Sequence, residues 1–181
     1  MRRLRFTHTH CDRTLQLLLK TFLDIVAFQK GPEHLPRSWM LFALVTVAAT
    51  LADIGGTLLI DASAPLILPI SLAARGFVLA FYSGVLVVAG KFERAPQTFT
   101  ALGGIDLVFT VLMLALFAVL NLVFDRATAG QAVNLLLLWS VAVQGHIISR
   151  ALGQHFVVGL MLAFMMFIVL LTLIQSMLGS A

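Results

Sequence analysis

The chain has 181 residues, of which 60% are hydrophobic and only 11% charged, and its mean hydropathy is +1.02, whereas a soluble domain is roughly one quarter charged. Its formal net charge of +4 comes from 12 Lys and Arg against 8 Asp and Glu, which are not gathered on a soluble face, so no nucleic-acid partner is expected. Cys11 is the single cysteine, which excludes an intramolecular disulfide framework.

Residues 1–13, MRRLRFTHTHCDR, are basic and polar. The next segment is interrupted by Lys20 and Asp24 and closed by no small-residue cleavage site, so a cleavable signal peptide is not expected. His8, His10 and Cys11 lack the second half of any zinc spacing, and no metal or other cofactor is expected. Leu15, Leu18, Leu19, Phe22 and Val26 then recur at helical spacing, with Gln16, Lys20, Thr21 and Asp24 on the other face. The pattern predicts an amphipathic helix over about 12–28. It is too charged to span a bilayer, and it either lies among anionic headgroups or packs on the protein's own spans.

Gly31, Pro32 and Pro36 break the helix, Ser38 is placed to cap the next one, and Trp39 belongs at headgroup level. Five apolar runs come after it, over about 38–60, 65–90, 98–124, 132–149 and 154–178. Each is close to the roughly 20 residues that cross a hydrocarbon layer of about 30 Å. Pro65 falls in the first turn of the second run and Pro69 one turn deeper, where it can bend the helix. Residues 61–63 and 125–131 read as short turns. The predicted fold is all-α: a polytopic bundle of five transmembrane helices (38–181), preceded by a cytoplasmic N-terminus (1–37) carrying the interfacial helix.

Orientation is set by the basic residues. With the N-terminus inside, Arg2, Arg3, Arg5, Arg13, Lys20, Lys30, Arg37, Lys91, Arg94 and Arg150 face the cytoplasm, and Arg126 alone faces the other side. The C-terminus is then outside.

Ionisable groups inside a span are costly and point to function. Asp53 lies seven residues before the outer end of the first run, roughly 10 Å deep, and Arg75 about ten residues into the second, roughly 15 Å deep. A guanidinium bridges that difference, which predicts an Asp53–Arg75 ion pair, either as structural glue or as part of a transport path. Asp106 and His146 enter the third and fourth runs from the cytoplasmic side to roughly 10 and 5 Å, depths that permit a second pair. A histidine near a span end also commonly satisfies that end. Gly55, Gly56, Gly103, Gly104 and Gly145 allow close helix approach. No nucleotide loop, metalloprotease motif or serine nucleophile elbow is present, so the chain is not read as an enzyme.

Three pieces carry a resemblance: GPEHLPRS, ERAPQTFTALGG and NLLLLWSVAVQGHIISRALG. The residues concerned are Ala95, Gln97, Thr98, Thr100, Ala101, Leu102 and Gly103, then Trp139, Ser140, Ala142, Val143, Gly145, His146, Ala151 and Leu152. They resemble a proteobacterial branch of small membrane proteins that is similar to the Yip (Ypt/Rab-interacting) five-span family. The resemblance implies five helices, a cytoplasmic N-terminus and a bacterial inner membrane, and it assigns no chemistry to any residue. The leading expectation is a non-enzymatic accessory or organising subunit, partnered by lipids and by other membrane subunits or itself. The alternative is a small oligomeric ion- or proton-coupled transporter or channel using Asp53, Arg75 and Asp106.

Overall fold

The computed structural model describes residues 8–60, 67–123 and 126–179. In chain order they form α1 (His8–Val26), a 3-10 turn at Pro32–His34, α2 (Trp39–Ile60), α3 (Ile67–Val88), a second 3-10 turn at Phe92–Arg94, α4 (Ala95–Val123), α5 (Arg126–Leu152) and α6 (Phe156–Gly179). No strand occurs among the described residues. Five of the helices, α2 to α6, are long and apolar enough to cross a membrane, and the chain is a multi-pass, all-α membrane protein. Leu44, Leu51, Val88, Leu122 and Met161 stand exposed on their outer faces, the side on which a bundle of this kind meets lipid.

Local chemistry sets the helix ends. Ser38 Oγ accepts a hydrogen bond from Leu41 N at 3.2 Å and caps α2. Helices α3 and α5 end on Gly90 and Gly153, both at positive φ. There Lys91 N reaches back to Leu86 O and Gln154 N to Ser149 O, which satisfies carbonyls that the helix leaves open. The end of α1 uses the same device with a non-glycine residue: Phe28 has φ 61°, and Gln29 N donates to Asp24 O at 2.8 Å. A side chain in that conformation costs about 1–2 kcal/mol. The Phe28 ring offsets it by wedging against Trp139, His146 and Phe156, with centroids 5.5, 5.2 and 6.1 Å away.

Several boundaries differ from the sequence reading. Helix α1 starts at His8 and ends at Val26, not 12 and 28. Helix α4 starts at Ala95 and α5 at Arg126, so most of 125–131, expected to be a turn, is helical. Ala127, Thr128, Ala129 and Gln131 tolerate a helix, and one glycine, Gly130, does not break it. Because α3 starts at Ile67, Pro69 falls in its first turn, where the missing N–H costs nothing. Helix α6 starts at Phe156. The expected turn at 61–63 and Pro65 lie outside the described residues.

Helix α4 is the centre of the bundle, packed against α2 and α5 and, at its start, against α1 and the Pro32–His34 turn. Residues 95–102 are all buried as a result. Helices α5 and α6 run backbone to backbone: a Cβ on Gly145 would sit 2.7 Å from Leu160 Cα, and one on Gly159 would meet Gly145 O. Helix α3 packs on α2 and α6 and touches α4 only lightly. Residues 29–38, the 89–94 connection and the 153–155 connection share one end, tied by Lys91 Nζ to Leu152 O and by His146 Nε2 to Lys30 O.

Candidate functional site

Three helices bring three charges together. Arg75 on α3 donates through Nη2 to Asp53 Oδ2 on α2 and through Nη1 to Asp106 Oδ2 on α4, the latter at 2.9 Å. Thr110 stands one turn after Asp106 on the same face of α4, and its Oγ1 donates to Asp53 Oδ1 at 2.8 Å. Arg75 Nε is buried and has no hydrogen-bond partner among the described residues, which leaves one donor of the fork unused.

The cluster faces a cavity of about 870 Å³ between α3 and the other four spanning helices. Phe99, Leu102, Met113, Leu114, Met166 and Leu170 supply much of its apolar wall, and Ser71, Asn134 and Gln144 add polar groups. Contact with this space explains why the side chains of Asp53 and Asp106 remain 30% and 46% accessible although both lie within spanning helices. Two carboxylates against one guanidinium leave a formal charge of −1 when both are ionised. In a low-dielectric interior such an imbalance is unfavourable by several kcal/mol, and a proton or a bound cation relieves it.

The expected Asp53–Arg75 pair is thus present, enlarged by Asp106. The second pair that the depths permit, Asp106 with His146, is not formed. Helix α4 starts three residues earlier than expected, so Asp106 is eleven residues in, about 17 Å along the axis and level with Arg75. His146 is buried in a different role: Nε2 donates to Lys30 O at 3.3 Å and the ring packs on Phe28 and Phe156. It fastens the loop after α1.

Among the residues expected at the interface, Phe22 is buried against Gly104, with Leu18 and Val26 half-buried on the same core. Trp39 is exposed and edge-on to Phe42. The side chains of Leu15 and Leu19, and of His8, His10 and Cys11, lie outside the described residues. Helix α1 therefore docks on the bundle through its C-terminal half. Thr110 was detectable from its i+4 spacing to Asp106, whereas Gln97, which donates from a buried position to Leu35 O at 2.8 Å, had no such signal.

No family model, curated protein or solved structure matches the chain.

Proposed function

We propose that the protein is a small membrane transporter whose Asp53–Arg75–Asp106 cluster takes up a proton or another small cation. One observation carries this reading: two carboxylates share a single guanidinium inside a cavity of about 870 Å³ at the middle of the spanning helices. Uptake at Asp106 removes the excess charge and weakens its bond to Arg75. That bond is a main tie between α3 and α4, which otherwise touch lightly. Cation uptake is thereby coupled to movement of α3 beside a cavity with room for a mostly apolar substrate, and no catalysed reaction is involved.

The same proposal places the basic end in the cytoplasm of a bacterial inner membrane, with the N-terminus inside, and keeps the kinship to Yip-like five-span proteins. The reading as an organising subunit rests on the short connections, and the charged cavity ranks transport above it.

The test is flux into liposomes reconstituted with the purified chain and loaded with a pH-sensitive dye or, in a parallel set, an alkali-cation-sensitive dye, under an imposed potential. Proton or alkali-cation entry that Asp106→Asn abolishes supports the proposal. Wild-type liposomes as tight as protein-free ones, or an Asp106→Asn variant that conducts like wild type, overturns it.

A further inference from the structure

A second concavity, of about 100 Å³, opens at the basic end of the bundle, remote from the carboxylates. Arg37, Arg94 and Arg150 line it together with Glu33, Gln97 and Thr98. The arginines come from three places: the segment before α2, the turn before α4 and the last turn of α5. Among the described residues none of the three has a carboxylate within ion-pair distance, and Glu33 faces His34 at 3.9 Å. Three guanidinium groups against one carboxylate leave a formal excess of +2 around the opening.

Two ordinary explanations fall short. The carbonyls at the end of α5 attract cations, but Lys91 already bonds Leu152 O, and Arg94 reaches Ala151 O only at 3.4 Å through one nitrogen. A general preference for basic residues on one side of a membrane accounts for their number, not for their convergence from distant segments onto one opening. Beneath the arginines, Gln97 and Thr98 in the first turn of α4 are occupied by Leu35 O and Arg94 O and form a fixed floor. That floor is the start of a 29-residue helix, whose positive end adds to the same field.

We infer that Arg37, Arg94 and Arg150 hold one phosphate group at headgroup level, supplied by an anionic phospholipid. Trp39, two residues after Arg37 and exposed, marks that level. A concavity of about 100 Å³ admits several waters or one tetrahedral phosphate, not a whole headgroup, so the glycerol and acyl chains stay outside, alongside the helices. The guanidinium fork matches phosphate oxygens in geometry, and basic pockets between spanning helices suit anionic headgroups. This site does not depend on the transport reading. Inorganic phosphate offers the same oxygens from the water side.

Native mass spectrometry of the full chain in neutral detergent tests it, with phosphatidylglycerol or phosphatidylcholine added, and in a parallel arm millimolar inorganic phosphate. One retained phosphatidylglycerol in preference to phosphatidylcholine is expected. Retention should fall about tenfold in Arg37→Gln and in Arg150→Gln, and by less than about twofold in Lys20→Gln, which removes the same charge from the exposed face of α1. Inorganic phosphate that displaces the lipid supports a single phosphate site. Phosphate binding without lipid retention overturns the lipid source. An equal loss in all three variants, or no binding in either arm, overturns the site. Circular dichroism of each variant separates loss of binding from loss of fold.

Discussion

Arg75 Nη1 and Asp106 Oδ2 are joined at 2.9 Å across a boundary where α3 and α4 otherwise scarcely meet. The same guanidinium holds Asp53 on α2, so removing the arginine and removing one carboxylate are not equivalent acts.

Arg75→Leu strands two carboxylates facing each other and is expected to destabilise the bundle by about 3 kcal/mol, the low end for a broken buried pair because Asp106 faces the cavity. Asp106→Asn leaves a balanced Asp53–Arg75 pair and should cost much less. Thermal unfolding in detergent checks the order. The triple change Arg75→Leu, Asp53→Asn, Asp106→Asn should recover most of the loss, and an equal cost for both single variants would sink the electrostatic account.

Thr110→Val keeps shape and deletes one donor to Asp53. Hydrogen bonds to charged groups contribute about 1.5–3 kcal/mol, and partial access to the cavity lets water substitute, so a loss of about 1–2 kcal/mol is expected. Unfolding midpoints with Thr110→Ser as the conservative comparison provide the measurement: serine should retain most of the stability.

The glycines divide sharply. A methyl on Gly145 would lie 2.7 Å from Leu160 Cα, where backbone must give way, whereas a methyl on Gly84 meets nothing within 4 Å. Gly145→Ala is expected to part α5 from α6 and lower the recoverable yield of folded protein. Gly84→Ala should be neutral or stabilise by up to about 1 kcal/mol through helix propensity. Size-exclusion profiles after gentle heating distinguish the two.

Much of the fold is legible in the chain because lipid imposes a length rule that apolar runs obey one by one. Asp53 and Arg75 are legible as a pair because their depths are counted from the same turn. Asp106 is misplaced by the same arithmetic: Thr98 looks like the start of a span, but the helix begins at Ala95, and its first turn is buried beside the segment after α1, where Gln97 bonds Leu35 O. His146 escapes because its partner is a loop carbonyl, Lys30 O, positioned by a phenylalanine at positive φ, and neither is announced by residue type. The cavity is invisible for a related reason, since its volume depends on how far α3 stands from α4, not on which residues line it.

The docking of α1 gives a last, discriminating expectation. Gly103 and Gly104 read in sequence as a place for helix backbones to meet, yet Gly104 is the seat of an aromatic ring: any Cβ there would overlap the edge of Phe22. Ile25 beside it is fully buried, while Leu17 on the other face is 65% exposed. A helix held by lipid alone would respond to loss of either apolar face. A helix seated on α4 responds only to loss of the docked one. Phe22→Ala and Gly104→Ala are therefore expected to release α1 and speed tryptic cleavage after Lys20, each by about tenfold or more if about 2 kcal/mol of docking is lost. Leu17→Ala should leave the cleavage rate unchanged. Equal acceleration in Leu17→Ala would mean that the membrane surface, not α4, holds the helix in place.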